Sequence, residues 1–133
     1  AINAATMVGP SLMQGPGQWE LQQYKVTTTD ATPTAVWTHT IPAAGVAGTL
    51  YVKVAGSSAD GALAQGYTFT AGYRRNGGAS TLSIAAGGLA WNPDAMAGVP
   101  ALALATNTLS VTVTGVAATT FTWDVCIWRN ASK

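Results

Sequence analysis

Residues 65–86 read QGYTFTAGYRRNGGASTLSIAA, and this stretch decides the fold class. Apolar residues occupy every second position from Tyr67 to Tyr73, which is the period of a β-strand with one buried face. The dipeptide Asn76-Gly77 then supplies the positive φ angles that a tight hairpin turn demands. The segment ASTLSIAA follows as the partner strand. The sequence therefore predicts an antiparallel hairpin over residues 65–86.

Alternation of the same kind recurs on both sides of this hairpin, whereas a helical period of useful length is absent from the sequence. Pro42 ends the second run because proline cannot donate a bond to a sheet, and a Gly- and Pro-rich loop is predicted over residues 87–100. About eight strands with turn residues between them indicate two packed antiparallel sheets, of jelly-roll or Greek-key type. The remaining predicted strands are about 19–28, 34–41, 48–56, 101–106 (a short or edge strand), 107–115 and 119–128.

The predicted core consists of the side chains that share the apolar face of each strand. In the second run, Ala35, Trp37, His39 and Ile41 are expected on one face. A shift of one residue would turn the whole set outward, because the period is two. The predicted core residues are Trp37, Leu50, Val52, Val54, Tyr67, Phe69, Leu82, Leu109, Val111, Val113, Phe121, Trp123 and Val125.

Residues 1–18, AINAATMVGPSLMQGPGQ, are predicted to form an extended N-terminal arm, separate from the sandwich domain of residues 19–133. The arm carries Gly-Pro steps, no charge and no sustained period. We expect it to reach away from the sandwich and bind a neighbouring subunit. Its candidate interface residues are Ile2, Met7, Val8, Leu12 and Met13.

The composition is unusually poor in charge. Charged residues make up 8% of the 133 residues and the formal net charge is +1, against roughly 25% charged residues in typical soluble domains. A surface with so few charges favours association. We therefore expect a homo-oligomer, and we favour a trimer. The only adjacent basic pair, Arg74-Arg75, is predicted to border a turn, so no nucleic-acid partner is expected.

Residues that carry chemistry are few and scattered. Cys126 is the single cysteine, which excludes an internal disulfide and a multi-cysteine metal site. His39 is the single histidine and is predicted to be a partly buried structural residue, and the five carboxylates stand singly along the chain. No apolar run reaches the length of about 18 residues that a membrane span needs. The sequence therefore predicts a binding or structural protein without cofactor or metal, rather than an enzyme.

Two tryptophans are not explained by the predicted core. Trp91 falls in the predicted loop, and Trp128 falls on the polar face of the last strand. Exposed aromatic side chains of this kind mark interfaces more often than small-molecule sites. Trp91 and Trp128 are therefore candidate interface residues.

Several segments together resemble a β-sandwich module that recurs in virion proteins of tailed bacteriophages and prophages. They are TTTDATPTAVWTHTIP, VAGSSADG, YTFTAGYRRNGGASTLS and NTLSVTVTGVAATTFTWDVCI, and the resemblance covers about residues 27–128. It implies a virion protein made in the host cytoplasm and carries over no catalytic residue and no cofactor.

Two roles are compatible with this resemblance. The favoured one is a capsid decoration or cement protein that stabilises the head as a homotrimer bound to the major capsid protein or another virion subunit. The alternative is a tail-fibre or adhesion module that binds host-surface glycans through exposed aromatic side chains. A cement protein needs an apolar, arm-bearing underside, whose arm binds a neighbouring subunit or the capsid, whereas an adhesin needs an exposed concave site with aromatic and hydrogen-bonding groups together.

Overall fold

The computed structural model of the chain describes residues 5–7, 11–12, 20–91 and 100–131. Within these residues the protein is all-β, with ten strands and no helix. The strands are β1 (Ala5–Met7), β2 (Ser11–Leu12), β3 (Glu20–Thr28), β4 (Pro33–Thr40), β5 (Ala47–Ser58), β6 (Ala64–Asn76), β7 (Ala79–Trp91), β8 (Ala101–Ala105), β9 (Thr108–Thr114) and β10 (Phe121–Ala131).

The strands form two antiparallel sheets, which confirms the predicted two-sheet fold. The larger sheet has the order β1-β3-β10-β5-β6-β7, with β2 also paired to β3, and the smaller has the order β4-β9-β8. Strands β5, β6 and β7 follow one another as hairpins, and β10 returns to lie beside β5. This is the strand order of a Greek key, one of the two types that the sequence left open.

The core lies between the sheets and contains the predicted side chains. In β10 and β5 every second residue is buried, so a regular period of two gives each strand one apolar face. Of the thirteen predicted core residues, twelve are buried, and Leu82 is partly buried and packs against the core from β7, at the edge of the larger sheet. The fully buried side chains of largest volume include Trp123, Phe121, Ile41, Leu50, Leu109 and Ile127.

Strand β4 departs from the predicted alternation. Val36 and Trp37 are both buried although they are adjacent, and Ala35 is exposed. The register with β9 shifts between Ala35 and Trp37, which is the mark of a β-bulge. The prediction that Ala35 shares a face with Trp37 is therefore wrong, because the bulge reverses the alternation at this point.

The central hairpin is longer than predicted, and its turn lies one residue later, so the prediction of a positive φ at Asn76 is wrong. Asn76 pairs with Ala79, so its loop is Gly77-Gly78, and of the residues Asn76, Gly77 and Gly78 only Gly77 has a positive φ, of 65°. Strand β7 continues through Trp91, so the first part of the predicted 87–100 loop is in fact a strand. Residues 87–91 pair with β6, from Gly87 opposite Phe69 to Trp91 opposite Gly66, and the register shifts once within this part, between Gly66 and Tyr67. This part of the strand is rich in glycine and alanine, so a pattern based on large apolar residues does not predict its pairing.

Two short stretches of the predicted arm pair with β3 of the same chain. Ala5–Met7 lies opposite Tyr24–Val26, and Ser11–Leu12 lies opposite Glu20 and Leu21. The rest of residues 1–18 lies outside the described residues. The two stretches extend the larger sheet beyond β3, and the reach of the arm towards another subunit stays a prediction.

Candidate binding groove on the outer face of the larger sheet

The larger sheet has one face towards the smaller sheet and one face turned away from it, here called the outer face. Because neighbouring residues of a strand point to opposite sides, the residues between the core positions of β3, β10, β5 and β6 form a regular grid on the outer face. The register gives its rows as Leu21–Trp128–Tyr51–Thr70, then Gln23–Cys126–Lys53–Thr68, then Lys25–Asp124–Ala55–Gly66.

The first row contains an aromatic pair. Trp128 and Tyr51 are direct cross-strand neighbours, and their ring centroids lie 5.4 Å apart with the ring planes inclined by 38°. Both side chains are partly exposed. Cross-strand aromatic pairs of this geometry stabilise a sheet. Here the pair also presents apolar ring surface to solvent beside polar neighbours.

A groove of about 520 Å³ opens beside this pair. At one end of the groove, Ala55 and Gly66 leave the depression open, because larger side chains at these two positions would fill it. Its volume falls within the usual range of small-ligand sites, roughly 300 to 1,000 Å³. The side chains and backbone that line the groove belong to Tyr51, Lys53, Val54, Ala55, Gly66, Tyr67, Thr68, Asp124, Cys126 and Trp128.

Polar groups lie among the apolar ones in the groove. The ammonium group of Lys53 is exposed, and no carboxylate of the described residues pairs with it. Asp124 instead lies 3.4 Å from Lys25, and both side chains are more than half exposed. An exposed pair of this kind contributes about 0 to 1 kcal/mol to stability. The groove thus combines aromatic surface, the hydroxyl group of Thr68 and the unpaired cation of Lys53.

Cys126 lines the groove from β10. It is partly exposed, and Gln23 donates a side-chain hydrogen bond to its sulfur at 3.6 Å. The sequence placed Cys126 on the face opposite the apolar stripe of β10, and the structure confirms this.

The candidate residues from the sequence fall into three groups. Trp128 lines the groove, and the backbone of Trp91 pairs with Gly66, which also lines it. The backbones of Met7 and Leu12 lie in β1 and β2 beside β3. Ile2, Val8 and Met13 lie outside the described residues.

Tyr51 and Lys53 were missed as site residues. The alternation of β5 does place them opposite Leu50, Val52 and Val54, so their exposure was readable from the sequence. Their position beside Trp128 depends on the pairing of β5 with β10. A single sequence does not give the pairing of strands so far apart along the chain.

A second polar cluster lies on the inner side, at one end of the sandwich. The guanidinium of Arg129 lies 3.1 Å from the carboxylate of Glu20 and donates to the Tyr73 hydroxyl at 3.5 Å. The indole nitrogen of Trp37 donates to Gln22 Oε1 at 2.9 Å. These bonds satisfy polar groups that burial would otherwise destabilise.

His39 belongs to this inner cluster. Its ring stacks on Trp37 with centroids 5.9 Å apart and meets Tyr73 edge-on at 6.4 Å. Burial holds the pKa of His39 below its usual value, the positive charge of Arg129 lowers that pKa further, and Glu20 opposes the effect. The imidazole is therefore neutral at neutral pH and packs as an aromatic ring.

Within residues 5–7, 11–12, 20–91 and 100–131, no group of three His, Cys, Asp or Glu side chains is placed to hold a metal ion. Over the same residues, no helix long and apolar enough to cross a membrane is found. Comparisons of the chain with protein-family models, curated proteins and solved structures found no match. Because a fold alone does not determine a function, we infer the function from the groove and from the chemistry of its residues.

Proposed function

We propose that this chain is a structural virion protein of a tailed bacteriophage and that its sandwich is an adhesion module, which binds a host-surface glycan in the outer-face groove. The virion assignment rests on the resemblance of residues 27–128. One observation supports the adhesion role above the others: Tyr51 and Trp128 form a partly exposed aromatic pair beside Lys53 and Thr68 in one groove.

This combination is what recognition of a sugar requires. A pyranose ring has an apolar face of C–H groups, which stacks on an aromatic ring, and a rim of hydroxyl groups, which needs hydrogen-bonding partners. Tyr and Trp provide rigid apolar area at small entropic cost. The groove is open along the sheet, so it suits a short stretch of a polysaccharide chain as well as a terminal sugar.

The sequence favoured capsid decoration over adhesion, and the exposed surface supports the reverse order. A decoration protein needs an apolar underside, yet among residues 20–84 and 100–130, the range over which side-chain burial is described, Ile84 is the only large apolar side chain that is strongly exposed, at 45%. The aromatic and polar groups of an adhesin, in contrast, lie together in the groove.

Glycan-array binding of purified Trp128→Ala and Tyr51→Ala variants tests this proposal, with Ile84→Ala as the matched control at an exposed apolar residue of another strand. We expect the wild type and Ile84→Ala to bind a common set of glycans and the two groove variants to lose them. Circular dichroism and urea unfolding check that the variants fold. Absence of glycan binding by the wild type, or unchanged binding by both groove variants, contradicts the proposal.

Capsid decoration as a homotrimer, bound to the major capsid protein or another virion subunit, is the second candidate. The pairing of Ala5–Met7 and Ser11–Leu12 with β3 favours this role. It shows that β3 accepts strands from the arm, and only five residues of the arm take part in the pairing. Such short strand addition can form equally well with β3 of a neighbouring copy. Deletion of residues 1–18 tests this role. Incorporation into particles should fall sharply while thermal unfolding changes little, and normal incorporation of the truncated protein contradicts the role.

A further inference from the structure

The charges of the outer face are unbalanced. Lys25, Lys53 and Arg74 alternate onto this face from β3, β5 and β6, whereas Asp124 is its one carboxylate among the described residues. Three cations and one carboxylate leave a net charge of +2. The whole chain has a net charge of only +1, so the outer face is more positive than the protein as a whole.

The described carboxylates already have partners. Asp124 pairs with Lys25, and Glu20 pairs with Arg129. Asp30 accepts the backbone N–H of Thr32, and Asp60 accepts from Ser58 and from a backbone N–H of its own turn. None of these groups is directed to Lys53. The cation in the groove is therefore available to an anion from outside the chain.

We infer that the groove binds an acidic saccharide, with the anionic group of the sugar on the Lys53 ammonium and a face of the sugar ring on Trp128 and Tyr51. This inference rests on the proposed glycan-binding role and names the ligand class for the same groove. Tyr51 and Lys53 are two residues apart on one face of β5, so their Cα atoms are separated by about 7 Å. That spacing matches a sugar ring on the aromatic pair whose acidic substituent reaches the neighbouring cation.

Other anions fit less well. Nucleic acids need clustered Lys and Arg side chains to displace several counterions, and the three cations of this face are spread over three strands. A neutral sugar gains the stacking but nothing from Lys53. The ammonium group is a compact point charge with three donors, which binds a carboxylate, sulfate or phosphate without a demand for one geometry. The shared requirement is thus one anionic group beside a ring face.

An array of paired saccharides tests the inference directly. Each acidic member is printed beside a neutral counterpart of the same backbone: oligogalacturonates with their methyl esters, sialylated with desialylated oligosaccharides, and sulfated or phosphorylated with unmodified ones. We expect the wild type to prefer acidic members by about tenfold or more, as a charge-assisted hydrogen bond provides. The separate carboxylate, sulfate and phosphate pairs identify the anion.

Two charge variants distinguish a local contact from the general charge of the face. Lys53→Gln should reduce binding of acidic members to the level of their neutral counterparts. Arg74→Gln removes the same charge from the same face about 20 Å further along β6, beyond the Debye length of about 8 Å at physiological salt, and should retain the preference. Equal binding of acidic and neutral members, or an unchanged preference in Lys53→Gln, overturns the acidic-ligand inference but leaves glycan binding intact. Failure of the wild type to bind any saccharide overturns both proposals.

Discussion

Trp123 donates its indole N–H to the hydroxyl oxygen of Thr28 at 3.1 Å, and both side chains are fully buried between the sheets. The bond joins β10, which lines the groove, to its neighbour β3. Gly56 of β5 lies directly against the Trp123 ring, so closely that a Cβ atom there would overlap it. The largest core side chain is thus positioned by one hydroxyl group and by the absence of one methyl group.

Thr28→Val should destabilise the protein by about 1 to 3 kcal/mol, because it leaves the buried indole N–H without an acceptor while conserving shape. Urea unfolding followed by tryptophan fluorescence measures the change. Phenylalanine has no N–H group, so no donor is left unsatisfied in a Trp123→Phe protein. Thr28→Val should therefore reduce the free energy of unfolding less in the Trp123→Phe background than in the wild type. Equal costs in both backgrounds would mean that the hydrogen bond does not contribute as described.

Gly56→Ala should destabilise the protein by about 1 to 3 kcal/mol, because the added methyl group overpacks the Trp123 ring. Gly72→Ala is the matched control on the neighbouring strand β6. A Cβ atom at Gly72 would meet nothing closer than a backbone oxygen at 3.8 Å, so this variant should stay within about 0.5 kcal/mol of the wild type. Chemical unfolding of the pair compares the two sites, and similar losses in both variants would contradict the role of Trp123.

The fold class was readable from the sequence because each strand from β5 to β10 with a described core face obeys one local rule. Val52 and Val54 point inward and Tyr51 and Lys53 outward for the same reason of period two. The rule fails where the backbone departs from that period, as at the bulge between Ala35 and Trp37. Side-chain pattern alone does not reveal a bulge.

The groove was only partly readable. Trp128 was singled out because it lies opposite the apolar stripe of β10, but its neighbour Tyr51 follows from the β5–β10 register. The depression itself depends on Ala55 and Gly66, two small residues from different strands. Their significance appears only when three strands are placed side by side, which is tertiary information.

Stability should fall as the pH decreases through about 6.5, because the pKa of His39 is lower in the folded protein than in the unfolded chain. In that range the unfolded chain binds more protons, so protonation favours unfolding. Thermal unfolding between about pH 7.5 and 5.5 measures the effect in the wild type and in His39→Gln. The decrease should be smaller in His39→Gln, and parallel profiles for the two proteins would show that other groups cause it.

Self-association should involve the edge strand β7. This strand has 13 residues without a charge or a proline, and Ile84 is exposed on it. Within the described residues β7 pairs only with β6, and long uncharged edges of this kind tend to pair with other chains. Ile84→Lys should shift sedimentation equilibrium towards the monomer, whereas Ile84→Val should not. A wild type that is monomeric at every concentration tested would contradict both this prediction and an intrinsic trimer.

The rate at which Cys126 is alkylated should report whether a ligand occupies the groove. It is the single cysteine of the chain, it is partly exposed, and it lines the groove between Trp128 and Asp124 on β10. A saccharide stacked on Trp128 should cover its sulfur. Alkylation by iodoacetamide should therefore slow by about tenfold when an acidic saccharide is present at ten times its dissociation constant, by mass action.

The matched measurement uses the same saccharide with protein unfolded in urea, in which the rate of alkylation should not change. In Lys53→Gln, whose dissociation constant should rise about tenfold, the protection at that saccharide concentration should fall to about twofold while the thiol still reacts, because the cation and not the thiol holds the ligand. The converse experiment labels Cys126 first with a bulky maleimide, which should abolish binding by occupying the groove. Saturating saccharide with undiminished alkylation of the native protein would mean that the sugar binds elsewhere on the sandwich.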